Sequence, residues 1–111
     1  VAVNLSPPGL FDKAALEGMA CAVPTIVSNP AFLPLTMPYA DMLHIDTPED
    51  VVSLTARLNN LLAQPAAQRQ RIGAHLRGRV EQQHSLAALI PRLVSIVNTG
   101  ELPPEDPLPP A

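Results

Sequence analysis

The sequence predicts an α/β protein, part of a doubly wound parallel sheet followed by three C-terminal helices. Three observations carry this reading. Short continuous apolar runs at residues 1–5, 23–27 and 42–45 alternate with a helical pattern, as strands buried on both faces do. The second half repeats apolar residues at i, i+3, i+4 spacing in successive blocks, the stripe of packed helices. The 111 residues are 47% hydrophobic and 15% charged, a balance that supplies a core and departs from that of disordered chains.

The elements follow in order. Residues 1–5 read as a buried strand, ended by Ser6, Pro7, Pro8 and Gly9. Asp12 is a good N-cap for a helix over residues 13–21, which is apolar nearly all round and is expected to lie between layers. Residues 23–27 form the second strand, closed by Ser28, Asn29 and Pro30. A proline-punctuated loop spans 30–38, and residues 42–45 are a third short strand. Thr47 as N-cap, Pro48 at the first helical position and an acid at the third predict the next helix start. Its stripe is Val51, Leu54, Leu58, Leu61 and Leu62. Pro65 breaks it, and a second helix to about Gln83 carries the thinner stripe Ile72, Leu76 and Val80. Ser85 caps a third, with Leu86, Leu89, Ile90, Leu93, Val94 and Val97 on one face and a kink expected at Pro91. The body is residues 1–98. The tail, 99–111, is proline-rich, with five prolines among its last twelve residues, and reads as a disordered terminus.

Three strands make a sheet with two uncovered edges. The chain also opens on Val1 inside an apolar run. Both features lead to the expectation that it begins in mid-sheet, as a fragment of a longer enzyme.

Charge and cysteine content exclude several classes. Residues 1–100 hold seven acids and seven bases, so the net charge of −3 belongs to the tail. A neutral body with three aromatic residues gives no footprint for nucleic acid. Arg69, Arg71, Arg77, Arg79 and Arg92 read as a solvated face. Cys21 is the one cysteine, so no intrachain disulfide forms, and a reducing, cytoplasmic setting fits. No apolar run reaches the ~18–20 residues that span a bilayer. His44, His75 and His84 lack metal-ligand spacing, and neither a glycine-rich dinucleotide fingerprint nor a P-loop occurs.

In doubly wound sheets, ligands bind beyond the carboxyl ends of the strands. The loop at residues 6–12 lies there. Gly9 allows close backbone approach, the first-turn amides offer unpaired donors, and Lys13 supplies a cation, together suiting a phosphate. A plain proline-rich loop with an N-cap would have the same parts. Glu17, a carboxylate in a helix of Ala, Leu and Met, is either a solvent-facing residue or a bidentate acceptor for two vicinal hydroxyls such as those of a ribose.

The run GLFDKAALEGMACAVPTIVS at residues 9–28 resembles the donor-binding segment of retaining GT-B-fold glycosyltransferases, the "group 1" or family-four class. Those enzymes carry a Glu-x7-Glu pattern followed by a Leu-Glu-Ala-Met-Ala-Cys-Gly-x-Pro-Val-Val-like stretch. Residues 41–46, 62–66, 71–73 and 84–85 resemble later parts of the same family, so the likeness spans about residues 1–98. The resemblance implies half of a Rossmann-like GT-B donor domain. It implies that a sugar moves from a nucleotide diphosphate sugar to a glycan or lipid-linked acceptor, which is bound through an N-terminal domain. The sugar nucleotide is substrate, and neither a resident cofactor nor a metal is implied.

By the same resemblance Glu17 matches the glutamate that holds the ribose. Gly9, Leu10, Phe11, Asp12, Lys13 and Ala14 match the turn that approaches diphosphate and sugar. Gly9 stands where the family has its first glutamate; Asp12 either contacts sugar hydroxyls in its place or serves only as the N-cap. Ala22 replaces a helix-ending glycine. The family's Arg and Lys that neutralise the diphosphate have no counterpart here, so the chain by itself is expected to be inactive. The full enzyme is expected in the cytoplasm, with peripheral association at the inner membrane face as a variant of that. Two alternatives stand beside this reading: a non-catalytic helical module that docks a partner through the stripe from Leu86 to Val97, and a sugar-nucleotide epimerase of the same fold.

Overall fold

The computed structural model describes residues 1–104. Two parallel strands, β1 (Ala2–Asn4) and β2 (Thr25–Val27), are joined across α1 (Lys13–Ala20). Ala2 pairs with Thr25, Val3 with Ile26 and Asn4 with Val27. Beyond β2 a single 3₁₀ turn (Pro30–Phe32) runs into the short helices α2 (Leu33–Thr36) and α3 (Ala40–Leu43). Three long helices follow: α4 (Val51–Ala63), α5 (Ala66–His84) and α6 (Leu86–Thr99). The protein is thus α/β, mostly helical, with a small parallel sheet.

The core is one cluster: Ala15 and Met19 of α1, Ile26 and Val27 of β2, Phe32, Leu35, Leu43 and Ile45 from the connecting segment, Leu61 of α4, and Ile72 and Leu76 of α5. All of β2 is buried, whereas β1 leaves Val3 exposed on the outer strand. Helix α1 buries Ala15 and Met19 but exposes Lys13, Ala14 and Glu17. It therefore covers one layer only, where the sequence predicted burial all round. Gly18 sits where a Cβ would lie 3.2 Å from the Thr25 hydroxyl, which brings α1 close against β2.

The expected third strand is replaced by a helix. Residues 40–43 wind into α3, with the Tyr39 carbonyl accepting from the amides of Met42 and Leu43. Only His44 bridges Val27, and the Ile45 amide donates to the Val27 carbonyl at 3.0 Å. An apolar run of four residues fits one helical turn as well as a strand, and burial of Leu43 satisfies either. The expected loop at 30–38 likewise holds the 3₁₀ turn and α2.

Helix α4 starts three residues later than the Thr47 cap predicted. Asp50 is the N-cap; its carboxylate accepts from the Ser53 amide at 3.0 Å and the Ser53 hydroxyl at 2.6 Å. These two bonds hold the Asp50 carboxyl below its usual pKa, and Thr47 has no matching Glu or Gln at the third position to compete. Of the α4 stripe, Leu61 is buried and Leu54 and Leu58 half-buried, while Val51 and Leu62 face outward. Ile72, Leu76 and Val80 of α5 pack inward as predicted.

Arg79 departs from the expected solvated arginines. It is 6% exposed, with its Nε 3.3 Å from His75 Nε2. Helix α6 is continuous through Pro91 and ends at Gly100, whose φ of 75° makes the left-handed C-cap. None of its residues is buried. The expectation of a disordered tail falls mainly on residues 105–111, outside those described.

Candidate functional site

Because β1 and β2 are parallel, their carboxyl ends share one edge. The loop 5–12 after β1 and residues 28–29 after β2 meet there. Asparagines at the two strand ends shape the loop. Asn4 Nδ2 donates to Asp12 Oδ2 at 3.0 Å, and Asn4 Oδ1 accepts from the Ser6 amide at 3.2 Å. Asn29, 1% exposed, donates from Nδ2 to the carbonyls of Pro7 (3.2 Å) and Leu10, while its Oδ1 accepts from the Ala31 amide at 3.0 Å. The Ser28 hydroxyl adds a bond to the Ser6 carbonyl at 3.4 Å. The loop's route is thus imposed by the amide side chains of buried Asn29 and half-buried Asn4, each with donor and acceptor used, as polar groups withdrawn from water require.

Gly9 takes φ +90°, and a Cβ there would meet nothing within 4 Å. Its glycine is demanded by backbone conformation alone, and the space beside it is open. Leu10 and Phe11 are exposed. The Phe11 ring stacks on Phe32 with centroids 4.7 Å apart and lies 5.0 Å from the His84 ring. This ties the loop to the C-terminal end of α5. Burial, with a smaller contribution from the Arg92 charge, pushes the His84 pKa down.

Asp12 caps α1, its Oδ1 accepting from the Ala14 amide at 2.9 Å. With Oδ2 held by Asn4, both carboxylate oxygens are engaged, and these bonds lower its pKa. A fixed anion therefore already stands at the α1 N-terminus, where helix dipole and free amides favour negative charge. Lys13 is exposed beside it. Glu17 lies further along α1, exposed, its carboxylate without a hydrogen bond or ion pair among the described residues.

The structure brings Gly9, Leu10, Phe11, Asp12, Lys13 and Ala14 together as one turn at the strand ends, with Glu17 on the helix that follows. What sequence reasoning missed is the clamp of Asn4 and Asn29 and the aromatic contact with His84. The signal for the clamp was a polar residue at the end of each apolar strand, where a side-chain amide can reach the neighbouring loop. His84 gave no local signal, since its partner Phe11 is remote in sequence.

Ala22 carries φ 59°, in the left-handed region that a glycine would occupy without strain. Across from it, a Cβ on Gly73 would stand 1.9 Å from the Ala22 carbonyl oxygen, so α5 approaches this turn through a glycine. A separate open depression of about 200 Å³ lies at the opposite, amino ends of the strands, lined by Val1, Ala22, Pro24, Ala66, Arg69 and Gln70. Arg69 there donates to the carbonyls of Leu62 and Gln64, closing the end of α4. Among the described residues no cluster of His, Cys, Asp and Glu is arranged to hold a metal, and no helix is long and apolar enough to cross a membrane. No protein-family model, curated protein or solved structure matches the chain.

Proposed function

We propose that the chain is the donor-binding part of a retaining GT-B glycosyltransferase, engaging the nucleotide diphosphate end of a sugar nucleotide at the strand-end loop. The observation that carries the reading is the pairing of a pinned loop, open at Gly9, with an exposed and unpaired Glu17 on the helix it feeds. Glu17 accepts the two ribose hydroxyls, and the amides of residues 11–13 face the diphosphate, that of Ala14 being held by the Asp12 cap. Asp12 acts as the cap that orients those amides. Its carboxylate opposes a bound phosphate, so Lys13 supplies the compensating charge on this loop. Hydrogen bonds to a charged acceptor are worth about 1.5–3 kcal/mol, so removing Glu17 costs roughly ten- to a hundredfold in affinity.

A leaving diphosphate needs more positive charge than one exposed lysine and a helix end provide. The chain by itself therefore binds without transferring sugar, and turnover of a nucleotide sugar by it would overturn this part of the reading. Binding is tested by titrating nucleoside diphosphates into isotope-labelled protein and following the amide resonances. Shifts confined to residues 9–17 support the proposal. Shifts elsewhere, or none with any base, refute it.

A further inference from the structure

Helix α6 is inverted relative to the rest of the molecule. Its half-buried residues are Ala88, Arg92 and Ser95, small or polar, recurring at i, i+4, i+7 on one side. The opposite side carries Leu86, Leu89, Ile90, Leu93, Val94 and Val97, each exposed by between 43% (Leu89) and 82% (Val97). An amphipathic helix ordinarily turns its apolar stripe to the core. Here the stripe faces away from α5, the helix against which α6 packs. This stripe presents on the order of 600 Å² of apolar surface, the upper end of what a soluble monomer leaves open.

We propose that this face is covered by the same face of a second copy of the chain, forming a two-fold dimer. The proposal stands apart from the nucleotide reading. Its first support is charge. In an isologous contact each residue near the axis meets its own kind, so any charge there is repelled by its copy. The outward face of α6 has none; its one charged residue, Arg92, lies on the covered side. The same neutrality disfavours a membrane surface, because helices that lie in a bilayer interface set basic residues along their polar face. It also offers nothing to recognise a charged partner. The second support is area. Two such stripes bury up to about 1,200 Å² together, the lower end of the range of specific interfaces. Leu93 lies near the middle of α6 and so near the axis in either relative orientation of the two helices.

Sedimentation equilibrium of the intact chain at tens of micromolar tests this. The expected species has twice the 11.8 kDa mass of one chain. Leu93→Glu, at an exposed position, is expected to weaken association at least tenfold with an unchanged circular dichroism spectrum. In a Cys21→Ser background, Leu93→Cys is expected to form a disulfide with its own copy on mild oxidation, far faster than Ala74→Cys on the exposed side of α5. The cross-linking comparison decides the matter should Leu93→Glu fail to fold. A monomer across the concentration range, a dimer indifferent to Leu93→Glu, or equal cross-linking at positions 93 and 74 overturns the proposal.

Discussion

At the scale of single residues, Ala22 and Gly73 show how backbone geometry decides what chemistry alone leaves open. Holding a residue with a Cβ in the left-handed region costs about 1–2 kcal/mol, and Ala22 sits there with φ 59°. Ala22→Gly removes that strain and loses some of the gain to unfolded-chain freedom, so a rise of about 0.5–1 kcal/mol in denaturant-measured stability is expected. Gly73→Ala is expected to act in the opposite direction and more strongly. A methyl group 1.9 Å from a carbonyl oxygen forces α5 away from the turn, and overpacking of this kind costs about 3 kcal/mol. The absence of the helix-ending glycine was legible in the sequence. Its counterpart at Gly73 was not, because fifty residues separate two positions that only the packing of α5 on α1 brings together.

His84 belongs to the same scale. Its folded pKa lies below the ordinary 6.5, chiefly because partial desolvation of this surface ring, and secondly the Arg92 charge, disfavours its charged form. Protonation therefore favours the unfolded chain. The stability contributed by the neutral ring is complete above pH 6.5 and is lost as pH falls from there through the lower folded value. Thermal melts between pH 7.5 and 5 are expected to show this loss, and His84→Gln to flatten it. The caps Asp12 and Asp50 act in a separate window. Their folded pKa values are depressed by hydrogen bonds from the ordinary 3.8, so their contribution is complete above that value and is lost as pH falls from there through the lower folded values. Melts of His84→Gln that still fall across the near-neutral range would move the effect to another group.

At the scale of elements, the sequence was most informative where a stripe was long. Helix α5 packs along its predicted stripe, α6 forms where its stripe marked it, Asp12 caps α1 as its position foretold, and Ser85 caps α6, accepting from the Ala88 amide at 3.1 Å. Short segments were ambiguous. Residues 42–45 and 47–50 each offered two local solutions, and tertiary partners chose: Leu43 found the core from a helical turn, and Ser53 selected Asp50 over Thr47. Periodicity identified the α6 stripe but not the direction in which it points, since that depends on what the helix packs against. The loop between β1 and α1 depends on Asn29 more than on any of its own residues. Asn29→Ala removes three hydrogen bonds at a buried position and leaves two loop carbonyls without donors. A destabilisation of about 2–3 kcal/mol in urea unfolding is expected, with broadened amide resonances confined to residues 6–12. Sharp, unshifted resonances there would show that the loop holds its shape unaided.

At the scale of the whole molecule, a two-stranded sheet fully buried on β2 and open on β1 is flanked by helices whose last member turns apolar side chains outward. The proposed site lies at the shared carboxyl edge of the two parallel strands, the edge at which ligands bind in open α/β sheets. The open depression at the amino edge is lined by a helix-closing Arg69, by Gln70 and by small apolar residues. Placement and chemistry support the proposed function: a loop held by two asparagines, a glycine opening onto free space, and an unpaired carboxylate on the following helix.

Glu17 and the residue 9–14 turn are proposed to bind a nucleoside diphosphate. Isothermal titration calorimetry of the intact chain with each common nucleoside diphosphate, alongside Glu17→Gln, tests this most directly. Saturable one-site binding of at least one of them, weakened roughly tenfold or more in Glu17→Gln, is the expected result. Absence of binding to every nucleoside diphosphate, or equal affinity in the two proteins, would contradict it.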